Sequence, residues 1–339
     1  MPDKNVSVFI GRFQPFHSAH REVAIKSLDE SDQLVFVIGG DLAPRTIKNP
    51  FTVEERIEII KLSLPEYLDR LHFISIRDYL YNDNVWATQV VNKINQYVGK
   101  NKITLIGSEK DESSYYLKMF PQWKHNFIRP IRNVDATTIR KYLFENIPTS
   151  NISNLDYKVA EYLNNFTSSS HFQELVTEYN YIKQYKESWS NTPYPVSFQT
   201  VDSVVFKSAH VLVVVRKIPP GKGLYALPGG FLDPKETLLK GAVRELYEET
   251  NILFPRNTIM DKIIEQRVFD HPDRSLRGRT ITTAFNFDLG LGELPSVTGN
   301  DDAEKALWMP FDEVSRNLHM FFEDHAHIIE YFMYKQGAK

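Results

Sequence analysis

The chain has 339 residues, 42% of them hydrophobic, which suits two domains with real cores. Its formal net charge of −3, without a long basic block, argues against nucleic acid as a main partner, and the absence of cysteine excludes disulfides and thiolate metal sites. No apolar run approaches the roughly 20 residues of a membrane span, and the N-terminal segment lacks a signal-peptide pattern, so we expect a cytoplasmic protein.

The first predicted element is a buried strand over residues 6–10, which ends at Gly11. The chain then turns, and a helix is predicted to follow. His17 and His20 lie three residues apart at the start of this helix, so they share one of its faces. Because a helix N-terminus already favours an anion, we interpret this stretch as a phosphate site. A zinc site would need further ligands, and none lies close in sequence.

Three further apolar runs are predicted as buried strands, at residues 34–40, 72–76 and 103–107. Helical patterns separate the strands, which favours βαβ units and a parallel sheet. Polar loops follow the strands at the edge where open parallel sheets bind ligands. One such loop includes Asn84, and Trp86 beside it opens a predicted helix. The residues alone leave open whether Trp86 packs in the core or stacks on a flat aromatic ligand.

The loop after the second strand contains two basic residues, Arg45 and Lys48. Phosphate contact and plain solvation are equally open for both of them. Thr52 then precedes a predicted helix over residues 53–64, with Glu55 at the third helical position. This spacing predicts a capping box, which needs no functional explanation.

Another predicted helix begins after Asp135, which we expect to cap it. Thr137 lies in its first turn and Arg140 one turn further on. Taken alone, this pattern is that of an ordinary capped helix.

The stretch from Gly11 to His20 resembles the signature of the nucleotidyltransferase superfamily, G-x-F-x-P-x-H-x-G-H, with Ala19 where glycine is usual. The segment ending at Arg140 resembles the second motif of that superfamily, I-S-x-T-x-I-R, with Asp135 where serine is usual. The first motif looks most like the nicotinamide-mononucleotide adenylyltransferases of the archaeal type. The resemblance implies that the mononucleotide 5′-phosphate attacks the α-phosphorus of Mg²⁺-ATP and releases pyrophosphate. Such transfer needs positioning and charge neutralisation rather than a protein nucleophile.

The resemblance also implies roles for individual residues. His17 and His20 would bind and stabilise the reacting phosphates, and Arg140 would hold the departing pyrophosphate. The nicotinamide ring would lie against Asn84 and Trp86. The residues expected to contact the nucleotide and its phosphates are Gly11, Arg12, Phe13, Gly107, Lys110, Asp111 and Thr137. The role of Asp135 stays open.

An amphipathic helical pattern over residues 151–192 is predicted as a connection between a first domain, residues 1–150, and a second, residues 193–339. The pattern does not decide whether these helices pack on the first domain, bridge the two domains or form an oligomer contact.

The strongest motif of the second domain follows a predicted hairpin and begins at Gly230. Glu245, Glu248 and Glu249 lie at i, i+3 and i+4 on one face of a predicted helix. A solvated acidic face is the usual meaning of such a run. Three carboxylates just after a Gly-Gly loop are better explained as ligands of Mg²⁺, with Mn²⁺ as a substitute. We therefore expect Gly230 and the three glutamates to bind the metal.

This motif resembles the Nudix box, the signature of hydrolases that act on a nucleoside diphosphate linked to a further group, at eight of nine defined positions. The exception is Asn251, where glycine is usual and a left-handed turn is expected. Glu236 and Arg244 are predicted to pair and brace the loop. The resemblance implies that Glu248 and Glu249 serve catalysis as well as metal binding.

A basic loop between two later predicted strands contains Arg274, Arg277 and Arg279. It is either a solvated hairpin tip or a contact for substrate phosphate or ribose, and it is similar to the equivalent loop of Nudix enzymes that act on ADP-ribose. The family also places an acidic general base or extra metal ligand before the last strand. Glu304 is our choice, with Asp301 and Asp302 as alternatives.

The pairing of motifs looks like a bacterial fusion of a nicotinamide-mononucleotide adenylyltransferase with a Nudix ADP-ribose pyrophosphatase. It implies an α/β fold class: a Rossmann-like nucleotidyltransferase domain with a parallel sheet, followed by an α+β Nudix fold. The implied partners are ATP, nicotinamide mononucleotide, NAD and ADP-ribose, without nucleic acid or membrane. A homo-oligomer stays open.

Two alternative functions remain at this stage. The first domain could join a different phosphate ester to a nucleotide, or the second could bind ADP-ribose as a sensor without cleaving it. The sequence does not decide between nicotinamide and nicotinate, the physiological Nudix substrate, or any coupling between the sites.

Overall fold

The computed structural model describes residues 4–99, 101–107, 112–131, 134–152 and 155–337. The chain forms two compact units, residues 1–177 and 178–339. Within the described ranges, every helix is too short or too polar to span a lipid bilayer.

The first unit is built on five parallel strands. They are β1 (Asn5–Gly11), β2 (Gln33–Asp41), β3 (Leu71–Arg77), β4 (Lys102–Gly107) and β5 (Lys124–Phe127). Their order in the sheet is β3-β2-β1-β4-β5, and every neighbouring pair is parallel. The predicted parallel sheet is confirmed. The order reverses between β1 and β4, which is where doubly wound sheets bind ligands, outside the carboxyl ends of the strands.

Helices connect and follow these strands. They are α1 (Ser18–Leu28), α2 (Val53–Ser63), α3 (Asp83–Val98), α4 (Ala136–Phe144) and α5 (Tyr157–Thr167). Short 3-10 helices lie at Pro65–Arg70, Glu112–Met119 and Thr149–Asn151. Thr52 and Glu55 form the predicted capping box of α2, and Asp135 caps α4 as predicted.

The core of the first unit explains why these elements form. Val8 on the central strand β1 and Val35 and Val37 on its neighbour β2 are fully buried. Val90 and Ile94, four residues apart on one face of α3, are fully buried in the same cluster. Strands buried on both faces read as continuous apolar runs, which is why β1 and β2 are recognisable in the sequence.

The second unit contains a seven-stranded mixed sheet. Its strands are β6 (Ser197–Lys207), β7 (His210–Arg216), β8 (Tyr225–Ala226), β9 (Gly229–Phe231), β10 (Ile263–Phe269), β11 (Arg279–Asp288) and β12 (Ala303–Pro310). The main path runs β10-β11-β6-β7-β12, while β8 pairs with β7 and β9 with β6. β6 and β11 pair in parallel, and the other pairs are antiparallel.

The remaining helices are α6 (Ser170–Ser188), α7 (Leu238–Thr250), α8 (Arg256–Ile259), α9 (Phe311–Arg316) and α10 (His325–Gly337). Short 3-10 helices lie at Met260–Lys262 and Leu318–Met320. The division between the two units falls inside α6.

One face of α7 packs into the core of the second unit. Ala242, Val243 and Leu246 are buried in a cluster with Val201 of β6 and Leu212 of β7. This packing fixes the rotation of α7, so the positions of its glutamates are set by the sheet beneath it.

Candidate functional site

Two histidines meet at the N-terminus of α1. His17 is the N-cap residue, and its ring stacks on that of His20 with 3.8 Å between centroids and 23° between planes. The three-residue spacing therefore brings the imidazoles together, as the sequence predicts. This pair lies just after β1, at the carboxyl edge of the sheet and beside the reversal of strand order.

Close packing shapes the turn between β1 and the histidines. A Cβ on Gly11 would lie 2.8 Å from the Phe13 ring, so a larger residue there would displace this buried ring, and Phe13 itself has a positive φ of 51°. The buried Gln14 amide donates to Phe51 O at 2.8 Å and accepts from Phe51 N at 2.9 Å. These bonds hold the turn in one conformation.

The N-terminus of α4 comes to the same place. Arg140 donates from Nη1 to Gln14 O at 2.6 Å and from Nη2 to Thr137 Oγ1 at 3.1 Å. Burial lowers the pKa of Arg140 to about 10, which still leaves it charged at neutral pH. The structure thus brings Arg140 and Thr137 to the turn that precedes the paired histidines.

Asp135 is satisfied by its own helix. It accepts from Thr138 N at 2.9 Å and Thr138 Oγ1 at 2.8 Å. Partial burial raises the pKa of Asp135, but these hydrogen bonds and the nearby charge of His17 together hold it below its usual value. The hydrogen bonds of the cap stabilise the negative charge of the carboxylate, so Asp135 is compatible with a nearby phosphate site.

The other predicted residues of the first unit have varied surroundings. Arg12 pairs with Asp78 at 2.9 Å. Gly107 ends β4, whereas Lys110 and Asp111 lie outside the described residues. Trp86 is half-buried against Tyr116 and Phe120, and Asn84 is exposed nearby in the first turn of α3.

Arg45 is not simply solvated, and the other alternative, contact with phosphate, stays a prediction. Its guanidinium binds both oxygens of Glu55, at 2.5 and 2.8 Å, and Pro50 O at 2.7 Å. In this structure it braces the capping box of α2 instead of standing in solvent.

In the second unit, the loop at β9 meets the acidic face of α7. A Cβ on Gly230 would lie 2.5 Å from Glu245 Oε1, so the glycine lets the carboxylate approach the backbone. Glu249 accepts from Gly229 N at 3.0 Å and is only 7% exposed. Burial and the nearby Glu245 raise the pKa of Glu249 to about 8, against the lowering effect of the Gly229 bond.

Arg244 holds the face together. It lies 2.7 Å from Glu236, 2.9 Å from Glu245 and 2.8 Å from Glu248. The predicted Glu236–Arg244 pair is confirmed, and Asn251 adopts the predicted left-handed conformation with φ of 42°. With Arg244 in this position, no set of three His, Asp or Glu side chains in the described ranges is arranged as a ready metal site.

These carboxylates line a cavity of about 360 Å³. Two of the three arginines of the predicted basic loop, Arg274 and Arg277, also line it. Arg274 is buried and donates to both oxygens of Asp324 at 2.9 and 2.8 Å, so it is not part of a solvated hairpin tip. Arg279 instead donates to Asp270 O at 2.5 Å and is not among the lining residues described.

The three acidic candidates around the start of β12 also differ in their position relative to the cavity. Asp301 and Asp302 line the cavity. Glu304 is exposed on β12, next to the buried Ala303, and is not among the described residues that line the cavity. Their position in the cavity therefore favours Asp301 or Asp302 over Glu304 as the acidic general base or extra metal ligand.

Several residues at these sites were not identified from the sequence. Arg56 is 1% exposed and donates to Thr52 O, Arg12 O and Gly39 O at 3.0, 2.9 and 2.5 Å. These bonds connect α2 to the turn between β1 and α1 and to the end of β2. His325 lines the Nudix cavity and accepts from Leu227 N through Nδ1 at 2.9 Å, which places the ring proton on Nε2. Burial lowers the pKa of His325. Arg12, Gly39 and Leu227, the partners in these contacts, lie 44, 17 and 98 residues away in the sequence, so no local pattern reveals the contacts.

Family matches cover both units. The cytidylyltransferase-like family matches residues 8–200, and the NUDIX domain matches residues 197–332. The nicotinamide/nicotinic acid mononucleotide adenylyltransferase of Acinetobacter baylyi is 40% identical over 141 residues, 41% of this chain and 74% of that protein. The ADP-ribose pyrophosphatase of Methanocaldococcus jannaschii is 35% identical over 138 residues, 40% of this chain and 74% of that protein.

Two solved structures resemble nearly the whole chain. The bifunctional NMN adenylyltransferase/ADP ribose pyrophosphatase of Francisella tularensis is 35% identical, with a TM-score of 0.92 over 97% of this chain and 98% of that one. A second crystal structure of such an enzyme from F. tularensis, complexed with AMP and a manganese ion, gives 34% identity and a TM-score of 0.91. The predicted resemblance is confirmed: the chain belongs to the family of proteins that join a cytidylyltransferase-like domain to a NUDIX domain.

Proposed function

We propose that the protein is a bifunctional enzyme of NAD metabolism. Its first activity transfers the adenylyl group of ATP to nicotinamide mononucleotide, giving NAD and pyrophosphate. Its second hydrolyses ADP-ribose to AMP and ribose 5-phosphate. The observation that carries the proposal is the similarity, over 97% of the chain, to one bifunctional enzyme. We assign the first activity to residues 1–150 and the second to residues 193–339, with residues 151–192 as the connection.

In the first activity, the chain acts by placing positive and hydrogen-bonding groups around phosphates. His17 and His20 lie at a helix N-terminus, where main-chain N–H groups also favour anions. Arg140 is oriented by its bonds to Gln14 and Thr137, so its guanidinium is preorganised for the departing pyrophosphate. Gly11, Arg12 and Phe13 shape the turn on which the nucleotide rests.

We assign the rest of this site by its place at the carboxyl edge of the sheet. Asn84 and Trp86 at the start of α3 would receive the nicotinamide ring, since the indole is half-buried and retains exposed surface. Gly107 ends β4 at this edge, and we propose that it contacts the nucleotide together with Lys110 and Asp111, which follow it in the sequence.

The second site fits a divalent cation in its chemistry. Its donors are carboxylate oxygens, which divalent cations prefer. Burial raises the pKa of Glu249 because it disfavours the negative charge, and a bound cation would stabilise that charge. We propose Mg²⁺, with Mn²⁺ as a substitute, held by Glu245, Glu248, Glu249 and Gly230. When bound, this ion would neutralise diphosphate charge and activate water.

The chain's own residues complete the hydrolysis. Arg244 competes with a cation for Glu245 and Glu248, and its bond to Glu236 keeps it beside α7. Arg277 on the cavity wall would bind substrate phosphate or ribose. An acidic side chain takes the proton of the attacking water, and the cavity position favours Asp301 or Asp302 for this role.

Both reactions use water-soluble nucleotides, and we propose that they take place in the cytoplasm. The experiment measures hydrolysis by the purified protein with Mg²⁺ across ADP-ribose, NADH, diadenosine polyphosphates and nucleoside triphosphates. We expect ADP-ribose to be turned over fastest and Glu249→Gln to abolish turnover. ADP-ribose binding without turnover of any substrate would contradict the hydrolase and indicate a sensor. NAD formation from nicotinamide and nicotinate mononucleotides tests the first activity in the same preparation.

A further inference from the structure

The wall of the Nudix cavity includes two residues from outside the matched NUDIX domain. The NUDIX match begins at residue 197, yet Tyr181 and Tyr185 of α6 line the cavity that also contains Glu245, Glu248 and Glu249. The two tyrosines are four residues apart, so they lie on the same face of α6. Both are half-buried, so each ring keeps some accessible surface.

α6 is fixed in place at this wall. Glu178, one turn before Tyr181, accepts a hydrogen bond from Gly221 N at 3.2 Å. Gly221 lies in the loop that lines the cavity at Pro219 and Pro220, and a Cβ on it would lie 2.2 Å from the Phe322 ring. Ile182, next to Tyr181, is 2% exposed. These contacts hold the tyrosine face against the cavity.

The surroundings of the tyrosines differ from those of the carboxylates. The charged neighbours that shift Glu249 are Glu245, Arg216 and Asp202. The charged neighbour that shifts Tyr185 is Arg277, whose guanidinium also lies 5.3 Å from the Phe231 ring centre. The cavity therefore combines an acidic part, suited to a metal and a diphosphate, with an aromatic part around Arg277.

Aromatic side chains that line a nucleotide cavity are suited to a flat base. Stacking on an aromatic side chain stabilises a bound base with little dependence on its hydrogen-bonding edge. Burial raises the pKa of the Tyr185 phenol, so its hydroxyl stays protonated at neutral pH and can also donate a hydrogen bond. The charged groups that act on Glu249 are Glu245, Arg216 and Asp202, which suit a metal ion and phosphates rather than a base.

We infer that Tyr181 and Tyr185 form the platform on which the nucleobase of the diphosphate substrate stacks. The inference rests on the proposed pyrophosphatase function and adds that this site is incomplete without α6. Glu178 is a positioning residue, because it acts through the loop at Gly221 and not on the substrate.

The experiment compares Tyr185→Ala and Tyr181→Ala with Tyr185→Phe, which keeps the ring. Tyr334→Ala is the matched control, because Tyr334 on α10 is 73% exposed and is not among the described lining residues. KM and kcat are measured for ADP-ribose, with inhibition constants for the two products: AMP, which contains the base, and ribose 5-phosphate, which does not. NAD formation by the same samples reports that the chain is intact.

We expect each alanine variant to raise KM and the AMP inhibition constant by about tenfold, the effect of losing one base–aromatic stack. The ribose 5-phosphate constant and kcat should change little, and Tyr185→Phe should restore AMP affinity. Unchanged AMP inhibition in both alanine variants would overturn the platform. So would weakened ribose 5-phosphate inhibition with unchanged AMP inhibition, because it would place the other end of the substrate there.

Failure of the proposed function would look different. In that case, the wild-type protein would not hydrolyse ADP-ribose at all. The platform is then tested by calorimetric AMP binding in a His17→Ala background, where the first site is impaired. Weaker binding in Tyr185→Ala than in Tyr334→Ala would support the platform, and equal binding would overturn it.

Discussion

Replacing Asp324 with alanine is predicted to destabilise the second unit strongly. Arg274 and Asp324 side chains are 2% and 0% exposed and share two hydrogen bonds of 2.9 and 2.8 Å. Burial alone would lower the pKa of Arg274, but the Asp324 charge raises it above its usual value, so the guanidinium stays charged. Without Asp324 this charge is buried and unpaired, which costs about 3–5 kcal/mol. For a unit of this size we expect the melting temperature to fall by about 6–20 °C.

The assay is differential scanning calorimetry of the full chain, with Arg279→Ala as the control. Arg279 comes from the same loop, but its ion pair with Asp270 is partly exposed, and its loss should cost about 1 kcal/mol or less. Retained NAD formation shows that the first unit is intact. A melting temperature of Asp324→Ala within about 2 °C of wild type would refute the reasoning. A rise in KM for ADP-ribose in Arg274→Ala, with unchanged melting, would instead favour a substrate contact.

Three further predictions concern other parts of the chain. With a chelator present, the stability of the second unit should fall as pH rises from about 4.5 to about 8, because native Glu249 keeps a proton that the unfolded chain has released. Urea unfolding at several pH values should show a flatter dependence in Glu249→Gln. Thr52→Ala should cost about 1 kcal/mol, measured by urea unfolding of the first unit, because it removes the cap of α2. Arg140→Lys should lower kcat for NAD formation by about 100-fold and leave ADP-ribose hydrolysis unchanged, because lysine cannot reproduce the guanidinium geometry.

Local spacing made much of the fold and both motif sites predictable. His17 and His20 stack because residues three apart share a helix face. The buried strands of the first unit read as apolar runs, and a glycine ends two of them, β1 and β4. Asn251 takes the left-handed turn that its place after α7 requires. Each of these features depends on residues within a few positions of one another.

Contacts between distant residues were not predictable in this way. Arg274 and Asp324 are 50 residues apart, so the sequence could not show that the basic loop contains a buried ion pair. Glu304 was our first choice over Asp301 and Asp302, but it lies exposed at a register shift between Ala303 and Lys305, which the sequence does not reveal. β5 has only four residues, which is too short for a periodic pattern to appear.

The parallel pairing of β6 with β11 is a further example, since the strands start at Ser197 and Arg279, 82 residues apart, and no local signal links them. The tyrosines of α6 belong to the same class. Their amphipathic pattern indicated a helix, but three-dimensional packing was needed to show that they line the Nudix cavity.

The central claim is that one chain contains two separable active sites. The most direct test measures NAD formation and ADP-ribose hydrolysis side by side in wild type, His17→Ala and Glu249→Gln. We predict that His17→Ala abolishes NAD formation and retains hydrolysis, and that Glu249→Gln does the reverse. Loss of both activities in either folded variant, or of neither, would contradict the account.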